Sequence, residues 1–441
     1  VCHGKNDIQG IRKVYGNSML LHILIGCVTA LVLILLGKWI TYDFLNIDSS
    51  RQAAALCVYY SAVIMLWLSF ITAPIRALFI ARENIVYISI VDVIDGLLKL
   101  LIAIGLSYIA YDKLVSYAGI MVGINVVNLL LFTIYAAIKF PEFHIPRIKD
   151  LDKSLIKDLS SFAGWTTYSA GCVIARNQGI AVVLNWFYGT VINSAYGIAQ
   201  QVVGAVQFIS VSILNAFNPQ IMKAEGAGDR NKMIVMSEYV SKYSFLLLAM
   251  VAIPLIAEMD TILQLWLGEV PEYSSIFCQL ILIAALCDQL SVGLTSANQA
   301  IGNIRNYTLI FYTLKLMVLI IGWVCLYFGM SVASILWCYV GIELFTSLLR
   351  LPLMKWIADI PILPFCKHVF GRIIIPLIVM CSVCIICVRY IQTPYRLVIT
   401  IGLSVVIGGI SIWLTAINKQ EKEIIIQSLN RFIPHNAKRH S

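Results

Sequence analysis

The groups best placed to do chemistry in this chain are ionisable side chains set inside apolar stretches. The clearest cations are Lys99, Arg176 and Lys315, and the clearest acids are Asp92, Asp95, Asp288 and Glu343. A charge in a hydrocarbon span costs roughly 2.5–3.5 kcal/mol, so each should face a wet cavity or an opposite charge. Asp95 and Lys99 are four residues apart with the acid nearer the N-terminus, the favourable order for a pair on one helix. A structural pair and a part in ion coupling both fit them. Asp92 lies nearer a span end, where water would reach it. Glu343 and Lys315 would pair only across two helices. Asp288, followed by Gln289, suits a carboxylate that takes up and releases a proton for ion coupling; a hydrogen-bonded structural acid is the alternative.

The stretch "CVIARNQGIAVVL", residues 172–184, concentrates the problem. Arg176 has no acid within helical reach, so its partner comes from another helix (Asp288 or Glu343), from water or from a ligand. A phosphate would match a guanidinium in sign and geometry. Asn177 and Gln178 add amides suited to hydroxyl groups. Gly179 lets a neighbouring helix or a ligand approach the backbone.

The elements that hold these residues follow from composition. Of 441 residues, 60% are hydrophobic and only 12% charged, and the mean hydropathy is +0.86. Twelve apolar stretches are each long enough to cross a core about 30 Å thick. Their approximate extents are 18–41, 53–80, 86–109, 115–138, 161–186, 192–217, 235–256, 273–300, 306–329, 331–353, 369–390 and 394–416. The chain reads as an all-α polytopic membrane protein. The stretches are too long for barrel strands and do not alternate. The net charge of +9 sits mostly in alternate short loops, among them Arg76 and Arg82, Lys223, Arg230 and Lys232, and Arg350 with Lys355. That pattern places both termini in the cytoplasm and argues against a nucleic-acid partner. The twelve cysteines lie mostly in apolar runs, where thiols behave as small hydrophobes. The connection 139–160 carries Leu151, Leu155, Ile156 and Leu159 at helical spacing among charges, suiting an amphipathic linker helix, on the membrane surface or in solvent.

A faint internal repeat organises the spans. "GKND" at 4–7 and "GAGD" at 226–229 each precede a span, and the same interval separates Asp7 from Asn84 and Asp229 from Asn306. An offset of six spans keeps orientation, as in a parallel repeat about an axis along the membrane normal. It implies a bundle of four spans (1–138), a linker (139–160), a bundle of six spans (161–353), two further C-terminal spans (354–416) and a tail (417–441). On this reading two spans of the first bundle precede residue 1.

Several segments, in order, carry a resemblance: "SFAGW", "NQGIAVVLNWFYG", "SAYGIAQQVVGAVQFI", "NPQIMKAEGAGD" and "LQLWLGEVPEY". They resemble the polysaccharide-biosynthesis branch, the Wzx-type O-antigen and capsule flippases, of the multidrug/oligosaccharidyl-lipid/polysaccharide exporter superfamily. The resemblance implies two pseudo-symmetric helical bundles plus two C-terminal helices, fourteen in all, of which about twelve are present. It implies alternating-access transfer of undecaprenyl-diphosphate-linked oligosaccharide units across the bacterial inner membrane, with polysaccharide polymerase and glycosyltransferases as partners. Arg176, Asn177, Gln178, Lys99 and Lys315 would then serve the substrate, and Asp288, Glu343 and Asp95 the coupling ion. A multidrug or metabolite antiporter of the same superfamily is the alternative. No nucleotide-binding loop, metal cluster or long catalytic loop is recognisable in the sequence, so no cofactor and no enzymatic activity are expected.

Overall fold

The computed structural model describes residues 8–44, 49–106, 111–144, 152–302, 304–419 and 421–423, and every regular element in them is helical. The chain divides into two compact units, residues 1–164 with 226–228, and residues 165–225 with 229–441. The first half of the internal repeat, at 4–7, lies outside the described residues.

In the first unit, α1 (Ile8–Lys38), α2 (Gln52–Ala81), α3 (Ile85–Gly105) and α4 (Lys113–Lys139) are the four expected spans. Helix α2 packs on α1 and α4, and α3 packs on α4. Their apolar side chains meet in a small aromatic core. Phe79 stacks on Tyr87 at 5.2 Å and meets Phe140 edge-on at 4.8 Å. The polar edges of these rings are satisfied locally: the Tyr87 hydroxyl donates to Leu131 O at 2.9 Å, and Asn84 donates to the Tyr135 hydroxyl at 3.0 Å.

The next helical run, Lys153–Gly226, breaks at Gly189, where φ is 76° and ψ is −166°. A side chain would clash in that conformation, so the glycine sets the break. It separates α5 (residues 153–188) from α6 (Val191–Gly226). In the linker region, residues 153–160 are helical and continue directly into the rest of α5, while Leu151 lies outside the described residues. Asp152 caps the helix start by accepting from Ser154 N at 3.0 Å and Leu155 N at 3.2 Å, and Leu155, Ile156 and Leu159 are less exposed than the residues between them.

"GAGD" then closes one helix and starts another. Gly228 takes φ 81°, and Asp229 accepts from Lys232 N at 3.0 Å at the start of α7 (Arg230–Ala257). After the short α8 (Met259–Leu267) come α9 (Ser274–Gln289) and α10 (Val292–Ile301), which together make the eighth expected span but bend by 46°. Helices α11 (Arg305–Tyr327), α12 (Ser334–Ala358), α13 (Ile362–Tyr390) and α14 (Arg396–Ala416) complete the unit. Helices α7 and α12 are its centre: 61% and 56% of their most apolar windows are buried, against 28% for α11, α13 and α14. Helix α7 packs on α9, α10, α13 and α14.

Ten of the twelve expected spans, counting the bent pair as one, are helices long and apolar enough to cross a membrane. The chain is a multi-pass membrane protein. The other two expected spans, α3 and α5, are helical as well, and they are the ones that carry Asp92, Asp95 and Lys99, and the Arg176–Asn177–Gln178 triplet. Polarity, not length, sets them apart.

Candidate functional site

The second unit brings five charges from four helices into one buried chain. Arg176 of α5 pairs with Glu343 of α12. Glu343 also meets Lys315 of α11 at 2.8 Å, and Lys315 reaches Asp288 of α9 at 2.9 Å. Asp288 in turn pairs with Arg350 of α12 at 2.7 Å. Three cations thus share two carboxylates, leaving a net charge of +1 on the cluster.

Local sequence explains how each member is held. On α12 the residues Glu343, Thr346, Ser347 and Arg350 fall at i, i+3, i+4 and i+7, a polar stripe on one face of an otherwise apolar helix. All four are buried. The bend between α9 and α10 releases backbone carbonyls that a straight helix would satisfy. Arg350 uses one of them, donating from Nη1 to Asp288 O at 2.9 Å, and reaches Ser291 Oγ at 3.3 Å. Ser291 donates to Ser347 O at 2.7 Å. The bend and the stripe hold each other.

Aromatic faces line the cations. Phe311 lies 4.8 Å from Lys315 and 4.4 Å from Arg350, and Tyr339 lies 4.5 Å from Arg176. Such stacking attracts a cation to the ring face at little cost in space. Gly179 performs the role its type allows, since a Cβ there would meet Leu319 at 2.7 Å and hold α5 away from α11. The exposure is uneven. Side-chain exposure is 7% for Arg176, 6% for Lys315 and 3% for Glu343 and Arg350, but 28% for Asp288. The one open member is an acid, clamped between two cations.

Of the expected site residues, Arg176, Lys315, Asp288 and Glu343 come together, and Glu343 is the acid that Arg176 lacked. Asn177 joins them by accepting from Arg176 Nε at 3.1 Å, and the Tyr196 hydroxyl donates to Asn177 O at 3.3 Å. Gln178 is exposed and outside the cluster. Asp95 and Lys99 pair at 2.6 Å within the first unit, where Asn128 also donates to Asp95 at 2.7 Å. Asp92 does not depend on water alone, because Arg76 grips it at 2.6 and 3.0 Å.

Arg350 is a correction. As a loop cation it marked membrane orientation; in the structure α12 runs on to Ala358 and buries it. Its interval of seven residues from Glu343 was the available signal. Glu238 and Lys242, inside α7, were also passed over, although they stand next in sequence to the buried Ser237 and Ser241. Among the described residues no group of His, Cys, Asp and Glu is arranged to hold a metal ion.

The fold has solved counterparts. The chain is similar to a MATE transporter determined in complex with MaL6, at TM-score 0.69 and 12% identity over 82% of each chain. It is similar to a MOP-superfamily transporter from Pyrococcus furiosus, for which reversed polarity of the binding pocket suggests a different function, at TM-score 0.63 and 12% identity over 81% of this chain and 80% of that one. No family model and no curated relative matches the sequence. At that identity the likeness shows the fold, which is that of MATE and MOP-superfamily transporters, and both counterparts are transporters rather than enzymes.

Proposed function

We propose that this transporter-fold chain moves an anionic, diphosphate-bearing amphiphile, an undecaprenyl-diphosphate-linked oligosaccharide unit, across the bacterial inner membrane by alternating access. The observation that carries the proposal is the charge balance of the buried cluster, three cations on two carboxylates. A surplus cation in an apolar bundle is costly, and an entering phosphate offsets that cost by supplying the missing negative charge. The entry point is the Asp288 end of the cluster. There the diphosphate exchanges with the Asp288 carboxylate on Lys315 and Arg350, a guanidinium suited to two-point phosphate contact. Arg350 Nε is buried with no hydrogen-bond partner among the described residues, a spare donor for an incoming oxygen. Arg176, held by Glu343, keeps the charge sign of the site, while Asn177 and Gln178 meet glycan hydroxyls. Lys99 and Asp95 serve the path in the first unit.

Ion coupling follows from the same exchange. A proton on Asp288 or Glu343 frees a cation for the substrate, and substrate release returns the carboxylate to its partners. The chain would be oriented with both termini in the cytoplasm, where the glycosyltransferases make the substrate, and would deliver it to the polymerase that uses it on the opposite face.

A second reading is favoured by one observation: the exposed member of the cluster is the acid, Asp288, as an exporter of organic cations would need. One experiment separates the two. The full-length gene is placed in a host lacking its own lipid-linked oligosaccharide flippase, with surface glycan and cationic-dye efflux both measured. Restored glycan, lost in Arg350→Ala at equal expression, supports the flippase; dye efflux without glycan would sink it in favour of the antiporter.

A further inference from the structure

A second set of buried charges lies where α7, α13 and the end of α14 meet, apart from the cluster described. Lys242 of α7, only 4% exposed, donates to Ala416 O at 3.2 Å and to Glu421 Oε1 at 2.6 Å. Glu421 is fully committed. Its Oε2 accepts from Asn418 N at 2.7 Å, while Asn418 Oδ1 accepts from Glu421 N at 2.8 Å, a reciprocal capping box. Glu238, one turn before Lys242, accepts from His368 Nδ1 through a single oxygen at 2.9 Å. Arg372 donates from Nη1 to Thr415 O at 3.0 Å and is otherwise exposed.

These side chains, with Tyr239, line a cavity of about 290 Å³. Its depth in the bilayer follows from the fold. Ala416 ends the last apolar helix, so groups touching its carbonyl sit where the spans leave the hydrocarbon. The aromatic residues agree: Tyr239 and Tyr243 flank Lys242 at 5.4 and 4.9 Å, and Trp413 carries Lys422 at 5.6 Å. Tyr and Trp concentrate at that level of a membrane.

The polar capacity left over defines the ligand. Four donors of Arg372 and one of Lys242 have no hydrogen-bond partner among the described residues, and beside them Glu238 keeps one free oxygen. A cationic edge next to a single acceptor matches a phosphate joined by a short linker to a primary ammonium. We propose that this cavity holds the head group of an aminophospholipid, its phosphate on Arg372 and Lys242 and its ammonium on Glu238. A choline head group has no N–H to give Glu238, and a glycerol head group has no cation for it. The site is independent of the proposed substrate and of the direction of transport.

The test is native mass spectrometry of the purified full-length protein, titrated with phosphatidylethanolamine, phosphatidylcholine and phosphatidylglycerol of identical acyl chains. Phosphatidylethanolamine should be retained about tenfold more tightly than the other two. Glu238→Gln, an isosteric change, should remove that preference. Arg372→Gln, at an exposed position that leaves the thermal midpoint unchanged, should weaken phosphatidylethanolamine by about tenfold. Equal retention of all three lipids by the wild type would overturn the proposal. So would unaltered phosphatidylethanolamine binding in Arg372→Gln, whatever Glu238→Gln does to folding.

Discussion

The two units treat the same problem, charge inside apolar helices, in opposite ways. In the first, the Asp95–Lys99 pair is 21% and 46% exposed and Arg76–Asp92 is 39% and 51% exposed. In the second, Arg176, Glu343, Lys315 and Arg350 are almost wholly enclosed and share partners across four helices. The cores differ in parallel. The first unit buries a small aromatic cluster, the second a large one running through α5 to α14. A buried charge needs a dense surround to fix its partner; the second unit supplies the larger one, while the first encloses Glu142, against Arg82, just beyond the end of α4. Charge in the second unit is therefore the more tightly tied to folding.

The largest test of that contrast is Glu343→Gln. It leaves Arg176 and Lys315 facing a neutral amide, and breaking a buried pair in this way costs about 3–5 kcal/mol. Expression and detergent stability should fall sharply, as read by fluorescence-detected size exclusion. Replacing the set, Arg176→Met with Glu343→Met and Lys315→Met, should recover much of the stability while abolishing transport. If Glu343→Gln folds as well as wild type, the cluster is not a structural unit.

Packing offers the next test. A Cβ at Gly293 in α10 would sit 1.9 Å from the Ser237 carbonyl of α7, a backbone atom that cannot move aside. Overpacking of this kind costs about 1–3 kcal/mol, so Gly293→Ala should lower the thermal midpoint. A Cβ at Gly123 in α4 of the first unit meets nothing within 4 Å among the described residues. Gly123→Ala should leave the midpoint unchanged or raise it, by at most about 1 kcal/mol of helix propensity. Equal effects of the two would erase the difference between the cores.

The same contrast explains what could be read from the sequence. The spans were legible because twenty-residue apolar runs have few other uses, and all twelve are helical. Asp95 and Lys99 were legible as a pair because both lie on one helix. Arg176 with Glu343 was legible only as one of several possibilities, since the contact joins residues 167 positions apart. Arg350 was hidden by a boundary: hydropathy places the end of α12 just where its arginine begins to look like a loop charge. The break of the eighth span carried no proline to announce it and only a weak signal in Gly293, two residues beyond Ser291. Its cause is tertiary, in the bonds that Ser291 and the Asp288 carbonyl make with α12.

A smaller effect is expected at Asp95. Open ion pairs contribute at most about 1 kcal/mol, so Asp95→Asn should fold normally. Any loss of transport at equal expression would then report a role in the path. Loss of folding equal to that of Glu343→Gln would remove the distinction between the units.

The smallest effect lies at a helix start in the first unit and is a matter of pH. Asp112 caps α4, accepting from Leu114 N at 2.9 Å and Val115 N at 3.2 Å, and pairs with Arg51. The Arg51 hydrogen bond, with the Val115 N–H next, holds its carboxyl below the usual carboxylate range. A lowered value in the folded state means that the cap is at full strength above the ordinary range, near pH 4, and fades as pH falls through the folded value. Hydrogen exchange at the Leu114 and Val115 amides should therefore be protected at pH 5, after correction for intrinsic rates, and lose that protection toward pH 3. Asp112→Asn keeps an acceptor for the same amides but has no charge to lose, so its protection should be lower at pH 5 and flat with pH. A wild-type profile as flat as the Asn variant would mean that the neutral side-chain oxygen alone caps α4, and that Arg51 adds nothing to it.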